Sequence, residues 1–172
     1  MTQMWTTNKK RPTHLLTTEE AKEKALNLLE FRAHSRKELF DKLKRFTSAA
    51  TADEVLGMLE EGGLIDDETY AFQYAHDAME LKMLGPVRIK RELAMRGIDD
   101  ETAEAAIWAA EAETGSAEER LDRLIEIKYK NLLSDEKNRA KTVNALFRLG
   151  YGYDMIKEAI YKVKEEVFDE FD

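Results

Sequence analysis

A unit of roughly fifty residues occurs three times along this chain, and a period of that length restricts the fold more than any single motif does. Gly97 ends one helix-like segment, and Gly150 stands at the matching place in the next unit. All three units carry a leucine at the same relative position: Leu43, Leu93 and Leu146. Self-similar helical units of this size are typical of repeat proteins, in which neighbouring units bury one another's apolar faces.

Basic and acidic segments alternate in phase with the repeat. In the first unit, residues 30–45 hold six basic and three acidic side chains, whereas residues 53–68 hold seven acidic and no basic ones. Four further segments continue the alternation: the mainly basic 82–97 and 128–148, and the mainly acidic 99–119 and 154–172. Each unit therefore contains one basic and one acidic helix.

The formal net charge of −8 bears on the class of partner. Long-range repulsion opposes nonspecific binding to nucleic acid, although a local basic helix can still contact a polyanion. If the basic helices lined one side, the molecule could present that side to a polyanion. Alternatively, the charges only keep the helical faces soluble, and the sequence leaves both interpretations open.

Composition indicates a folded protein of the reducing cytosol. The chain is 43% hydrophobic and has no cysteine, so disulfides and thiolate metal sites are excluded. No apolar run approaches the roughly 18 residues that a membrane-spanning helix needs. Residues 1–14 lack an apolar signal core. We expect a cytoplasmic protein that does not contact a membrane.

Helix starts are predicted from capping boxes, in which a hydroxyl accepts from a backbone amide and a carboxylate reaches back. Four pairs have this spacing: Thr17 with Glu20, Ser35 with Glu38, Thr51 with Glu54, and Ser116 with Glu119. Gly85-Pro86 separates two helices, because proline suits a first helical position. Gly62-Gly63 ends a helix.

No segment has the alternation of a strand, so we predict an all-α fold. The architecture is an elongated, curved array of three tandem three-helix, helix-turn-helix-like repeats. The predicted domains are a disordered N-terminal arm at 1–16, repeats at 17–63, 64–112 and 113–164, and an acidic C-terminal tail at 165–172. A monomer is expected, since no apolar stripe remains beyond those needed between units.

The chain lacks the residue patterns of an enzyme. The three histidines share no metal-ligand spacing: His14, His34 and His76. Asp66-Asp67, the best carboxylate pair, stands at a helix start and is interpreted as a cap. Gly62-Gly63 precedes no phosphate-binding lysine and is interpreted as a turn. We expect no catalytic residue, no metal site and no cofactor.

Aromatic residues follow the helical spacing of the apolar core. Trp108 and the tyrosines are therefore predicted to be core residues rather than base-stacking platforms. In the third unit, the second helix is predicted to bury Val143, Leu146 and Phe147. These assignments leave the basic helices as the candidate contact surface.

Three segments resemble the signatures of the RecX family, in the family's order. They are FRAHSRKEL at 31–39, GLIDDETYA at 63–71 and GPVRIKRELAMRGI at 85–98. The corresponding family patterns are R-x-HSR-x-EL, GLIDD-x-x-YA and GP-x-RI-x-x-EL-x-x-RGI. The resemblance extends over about residues 20–163. In the third unit, Leu149-Gly150-Tyr151 departs from the family pattern, because the basic Arg148 is displaced by one place from the residue before the glycine.

The resemblance implies a regulator of the bacterial recombinase RecA. Such proteins consist of three tandem three-helix repeats, lodge in the groove of the RecA filament on single-stranded DNA and usually inhibit it. Their effects include suppression of ATPase, strand-exchange and coprotease activities, without catalytic residues of their own. The resemblance thus implies a role in DNA repair, homologous recombination and the SOS response, with direct DNA contact left open.

Basic residues on the second helix of each unit are the candidate contacts with RecA or DNA. Ser35 and Pro86 are assigned instead to capping and helix initiation. The candidates are Arg32, Arg36, Lys37, Lys44, Arg45, Arg88, Lys90, Arg91, Arg96, Lys137, Arg139 and Lys141.

Two other classes of function stay open. A generic helical-repeat scaffold would bind a protein without nucleic acid. A helix-turn-helix DNA-binding protein would prefer one duplex sequence, but the chain is acidic overall and has no obvious dimer element. Sequence preference and salt sensitivity of binding would separate the three classes.

Overall fold

The computed structural model describes residues 15–133 and 135–169, with side chains described as far as residue 163. The chain divides into two compact structural units. The first unit, Met1–Asp66, contains the first sequence repeat, and the second unit, Asp67–Asp172, contains the other two. The described residues form nine α-helices and no strand. The all-α architecture of helical triplets in tandem is confirmed. None of the helices among the described residues combines the length and the hydrophobicity that a membrane-spanning helix needs.

The first unit contains helices α1 (Thr18–Phe31), α2 (Arg36–Leu43) and α3 (Ala49–Glu61). The capping boxes predicted at Thr17 and Ser35 are both present. The box predicted at Thr51 is wrong, because Ser48 caps α3 and accepts a hydrogen bond from the Thr51 amide. The helix therefore begins three residues earlier, since a serine in extended backbone conformation precedes the predicted cap.

Buried aliphatic residues from all three helices form the core of the first unit. Gly62 caps the end of α3 and Gly63 has a φ of +67°, which confirms the predicted turn. Leu16 is tied to the α2–α3 connection, because its amide donates to the Phe46 carbonyl at 2.8 Å. The remainder of the predicted N-terminal arm, residues 1–14, lies outside the described residues. The core consists of Ala21, Ala25, Leu39, Leu43, Ala52, Val55, Leu56, Leu59 and Ile65.

The second unit contains the other two triplets. The first of them consists of α4 (Asp67–Lys82), α5 (Pro86–Met95) and α6 (Asp100–Thr114). Pro86 is at the first helical position of α5, as predicted. Its core joins α4 to α6 mainly through alanines, which let the two helices approach closely: Ala71, Ala75, Ala78, Ala103, Ala106 and Ala110.

The last triplet begins with α7 (Ala117–Leu124), which opens with the predicted capping box at Ser116. Beyond α7 the backbone continues as a π-helical turn (Ile125–Tyr129) and a 3-10 turn (Lys130–Leu132). Helices α8 (Glu136–Arg148) and α9 (Tyr153–Asp169) complete the triplet. Helix α9 thus includes residues 165–169, which were assigned from the sequence to the acidic tail. Residues 170–172 lie outside the described residues.

Two aromatic residues predicted to be core are exposed. Trp108 on α6 has an exposed fraction of 76%, and Phe147 on α8 has one of 61%. Helical spacing placed both on apolar stripes, but the neighbouring helices cover only one side of each stripe. Tyrosines divide as well: Tyr70, Tyr129 and Tyr151 are buried, whereas Tyr153 and Tyr161 are exposed.

Candidate interaction surface of the basic helices

In the first unit, basic residues of α2 face the acidic helix α3. The Arg36 guanidinium contacts the carboxylates of Asp53 at 2.7 Å and Glu60 at 2.9 Å. Arg32 binds Glu38 through two nitrogens at 3.1 Å each. These contacts show that opposite charges in the repeat pair with one another across neighbouring helices.

Two other candidates in this unit share one carboxylate. The Asp41 side chain accepts from Lys37 at 2.7 Å and from Lys44 at 2.6 Å. Hydrogen bonds from these two ammonium groups lower the pKa of Asp41 to about 2. Arg45 is exposed, and its side chain has no partner within residues 15–66. Of the first unit's candidates, Arg45 is therefore the one most available to an external anion.

The second unit repeats the pairing between its basic and acidic helices. The Lys90 ammonium on α5 lies 2.6 Å from Glu104 and 3.3 Å from Asp100, both on α6. This pair of contacts mirrors the two contacts that Arg36 makes with α3. Arg91 is exposed on α5, and its side chain has no partner in the described part of this unit.

Arg96 belongs to a partly buried network instead of an exposed surface. Its guanidinium stacks 4.3 Å from the ring centre of Tyr74, and it donates to the Glu92 carbonyl at 2.6 Å. The Tyr74 hydroxyl donates to the Glu92 carboxylate, which also accepts from Arg88 at 2.9 Å. Burial, followed by this hydrogen bond, raises the pKa of Tyr74 to about 12. Although burial opposes it, hydrogen bonds from Tyr74 and Arg88 lower the pKa of Glu92.

Helix α8 presents an exposed row of cations. Lys137, Lys141 and Arg148 follow helical spacing and lie on one face. Their side chains contact no carboxylate in the parts of the chain that the structure describes. Asn144 and the exposed Phe147 lie beside the row. Such cations can contact phosphate, and the neighbouring aromatic ring can stack on a base.

Arg139 lies away from this row. It is half-buried, and it lines a cavity of about 580 Å³ between α8 and α9, beside Val143 and Ile156. Its Nε is buried without a hydrogen-bond partner among the described residues. Arg139 is thus separated from Lys137 and Lys141, with which the sequence grouped it.

The α5 and α8 helices meet where two loops make backbone contact. The Gly85 amide donates to the Leu149 carbonyl at 2.8 Å, and the Val87 amide donates to the Gly150 carbonyl at 3.2 Å. The Arg88 guanidinium donates to the Arg148 carbonyl at 3.2 Å. Basic residues from two different triplets therefore come together at this joint.

Comparison with known proteins assigns the family. Residues 21–59 match the model described as RecX, first three-helix domain, and residues 66–107 match RecX, second three-helix domain. The regulatory protein RecX of Prosthecochloris aestuarii (strain DSM 271 / SK 413) is 30% identical over 145 residues, which cover 83% of this chain and 93% of that protein. The chain belongs to the RecX family.

Other RecX proteins differ in length from this member of the family. The regulatory protein RecX of Bacillus subtilis (strain 168) is 30% identical over 146 residues, which are 83% of this chain and 54% of that protein. The chain thus spans about half the length of that relative. The crystal structure of RecX from Lactobacillus salivarius matches with a TM-score of 0.72 and 28% identity, covering 86% of this chain and 96% of the other.

Sequence reasoning missed the most deeply buried charged side chain among the described residues. Arg120 on α7 has an exposed fraction of 3%. It donates to the carbonyls of Leu84 at 3.2 Å and Gly115 at 3.0 Å, and it binds the Glu111 carboxylate at 3.2 Å. The only hint in the sequence is its place between apolar residues of α7, because its partners are up to thirty-six residues away.

A second missed feature is a set of hydrogen bonds that hold the loop before α5. The Tyr151 hydroxyl donates to the Met83 carbonyl at 2.9 Å. Burial raises the pKa of Tyr151. Together with Arg120, this bond satisfies two consecutive carbonyls before Gly85, so the third triplet positions the start of the basic helix α5.

Proposed function

We propose that this protein binds the RecA filament on single-stranded DNA and inhibits its ATPase, strand-exchange and coprotease activities. Membership of the RecX family, through matches to its first and second three-helix domains, is the observation that supports this proposal. The relatives named regulatory protein RecX agree with a regulatory role. We place this activity in the cytoplasm, in DNA repair, homologous recombination and the SOS response.

Several modest contacts would supply the affinity. Contacts made by tandem units within one chain reinforce one another, because each contact raises the effective concentration of the next. A chain bound in this way across several RecA protomers would obstruct the entry of a second DNA strand. It would also hinder the exchange of RecA subunits.

The ion pairs rank the candidate contacts. Arg36 and Lys90 each hold two carboxylates of the neighbouring acidic helix, so contact with an external anion would compete with those pairs. Arg91, Lys137 and Lys141 are exposed and have no such competitor among the described residues. We therefore propose that these three cations make the principal contacts of the second unit.

The test measures the ATPase rate of RecA on single-stranded DNA while the protein is titrated in. The variant changes Arg91, Lys137 and Lys141 to Glu. A matched control changes three other exposed cations of the same unit to Glu and therefore has the same net charge: Arg123, Lys128 and Lys157. We expect the wild type and the control to inhibit, and the first variant to need at least tenfold more protein for the same inhibition.

Three outcomes would contradict the proposal in different ways. If the wild type leaves the RecA ATPase unchanged and does not sediment with the filament, the RecA partner is wrong. If both triple variants lose inhibition equally, net charge rather than the specific positions of Arg91, Lys137 and Lys141 determines binding. If both variants inhibit like the wild type, the contact surface lies elsewhere.

A further inference from the structure

Among the described residues of the second unit, Trp108 is the most exposed aromatic side chain, at 76%. At helical spacing on α6 it is flanked by Ala105 and Ala112 on one side and by Glu104 and Glu111 on the other. On the side of the two alanines the indole projects without a covering neighbour, and Ala105 also lines the groove described next. An exposed tryptophan beside an apolar groove is the kind of residue that dominates the energy of protein interfaces.

A groove runs beside this residue between α4 and α6. Its volume is about 830 Å³, and its floor is apolar, formed by Phe72 of α4 and by Ala105, Ala106 and Ala109 of α6. The two helices run in the same direction, since Thr69 of α4 and Thr102 of α6 both line the groove and, further along both helices, His76 lies near Glu113. Along α6 the lining residues run from Glu101 to Ala109, roughly 12 Å or about two helical turns.

The charges along this groove are all of one sign. Three lining residues carry carboxylates, Glu68, Asp99 and Glu101, and none of the lining residues is basic. The Asp99 carboxylate accepts two hydrogen bonds from Thr102, and these bonds lower its pKa, so it is ionised at neutral pH. On the opposite flank of α6, Lys90 pairs with Asp100 and Glu104. Glu101, by contrast, has no cationic partner among the described residues, so the groove side of α6 carries a negative charge.

We propose that this groove, with Trp108 at its edge, docks a basic amphipathic helix of a protein partner. Apolar residues of that helix would pack on the alanine floor and on the indole, while its lysines and arginines would face Glu101 and the neighbouring carboxylates. Nucleic acid is excluded as the occupant because its phosphates would meet those carboxylates. A second copy is disfavoured because a two-fold contact would bring identical carboxylates together.

This proposal concerns a different surface from the one assigned to the RecA filament. The proposed filament contacts are cations of α5 and α8, whereas the groove is formed by α4 and α6 and has no basic lining residue. The test therefore uses neither RecA nor DNA, and its failure would leave the filament proposal unaffected.

The experiment measures fluorescence anisotropy of a labelled 14-residue helical peptide that carries leucines on one face and lysines on the other. A peptide with glutamate in place of every lysine serves as the comparison. Trp108→Ala and Glu101→Lys test the groove. Two matched controls make the same changes at other exposed positions of this unit, Tyr153→Ala and Glu118→Lys.

We expect saturable binding of the lysine peptide and none of the glutamate peptide. Trp108→Ala and Glu101→Lys should each weaken the affinity at least tenfold, and the two controls should stay within twofold of the wild type. Equal loss in test and control variants would overturn the proposal, as would equal binding of both peptides. Sedimentation equilibrium tests the other occupant: a dimer that Trp108→Ala dissociates would assign the groove to a second copy and would also overturn the proposal.

Discussion

Gly85 and Gly150 meet backbone to backbone, at a distance that leaves no room for a side chain on either. A Cβ on Gly85 would lie 2.4 Å from both the carbonyl carbon and the carbonyl oxygen of Gly150. A Cβ on Gly150 would lie 2.4 Å from the Cβ of Arg88, and Gly150 also has a φ of +95°. This contact joins the second and third triplets at the start of the basic helix α5.

Gly85→Ala should therefore destabilise the second unit. The added methyl group meets backbone atoms that cannot rotate away, so the cost should be at the upper end of the range for overpacking, about 3 kcal/mol. Gly152→Ala is the matched control, because nothing lies within 4 Å of a Cβ at that position. Urea unfolding followed by circular dichroism measures both. Equal stability of the two variants would show that the joint opens without cost.

Arg120 should be the charged residue of the second unit whose loss costs the most. Arg120→Met removes a buried guanidinium and leaves the Glu111 carboxylate and the Leu84 carbonyl without their donor. Breaking a buried pair from one side typically costs about 3–5 kcal/mol. The exposed Arg123 on the same helix provides the control, and Arg123→Met should change stability by less than about 0.5 kcal/mol.

A rescue variant separates the charge from the packing at this site. Glu111→Gln in the Arg120→Met background removes the uncompensated charge and should recover part of the lost stability. Stability that does not improve in the double variant would mean that the carbonyl bonds, rather than the ion pair, account for the effect of Arg120.

The stability of the first unit should fall in mildly acidic solution because of His34. This side chain is 4% exposed and its Nδ1 donates to the Arg32 carbonyl at 2.9 Å. Burial lowers its pKa below the ordinary value of 6.5. The unfolded chain therefore binds the proton more readily than the folded chain, and stability present above pH 6.5 is lost as the pH falls toward the folded pKa.

Thermal unfolding midpoints at pH 7.5 and 5.5 test this prediction, together with NMR titration of the imidazole. His34→Gln should reduce the difference between the two midpoints. A titration of His34 at or above 6.5 in the folded protein would contradict the argument.

Direct DNA contact by α8 should be visible in the salt dependence of binding. Each neutralised phosphate of a single strand contributes about −0.7 to the slope of log affinity against log salt. If Lys137 and Lys141 each contact a phosphate, changing both to Ala should flatten the slope by about 1.4. Arg123→Ala with Lys157→Ala is the control and should not change it. Identical slopes for all three proteins would assign these lysines to contacts with RecA itself.

Much of the local structure was predictable because it depends on neighbours in sequence. Thr17, Ser35 and Ser116 start their helices through bonds to residues three positions away, and Pro86 does so through its fixed φ. The helix start predicted at Thr51 was wrong because Ser48, three residues earlier, caps the helix with the same kind of hydroxyl. The family signatures at 31–39, 63–71 and 85–98 were likewise visible in the chain itself.

The candidate surface was only partly predictable. Charge alternation identified the basic helices, but it did not reveal that Arg36 and Lys90 pair with the acidic helix of their own triplet. Arg91 looks the same as Lys90 in sequence, yet the structure leaves its side chain exposed. One helical step of about 100° decides which of the two faces a carboxylate.

The helices and their caps were predictable because they depend on residues within a few turns of one another, and the repeat and the family signatures are visible in the linear chain. The exposure of Trp108, the burial of Arg120 and the contact of Gly85 with Gly150 result from how distant segments pack together. Periodicity shows which residues share a face of a helix. Whether another helix covers that face depends on packing between segments that are tens of residues apart, and no local pattern records that packing.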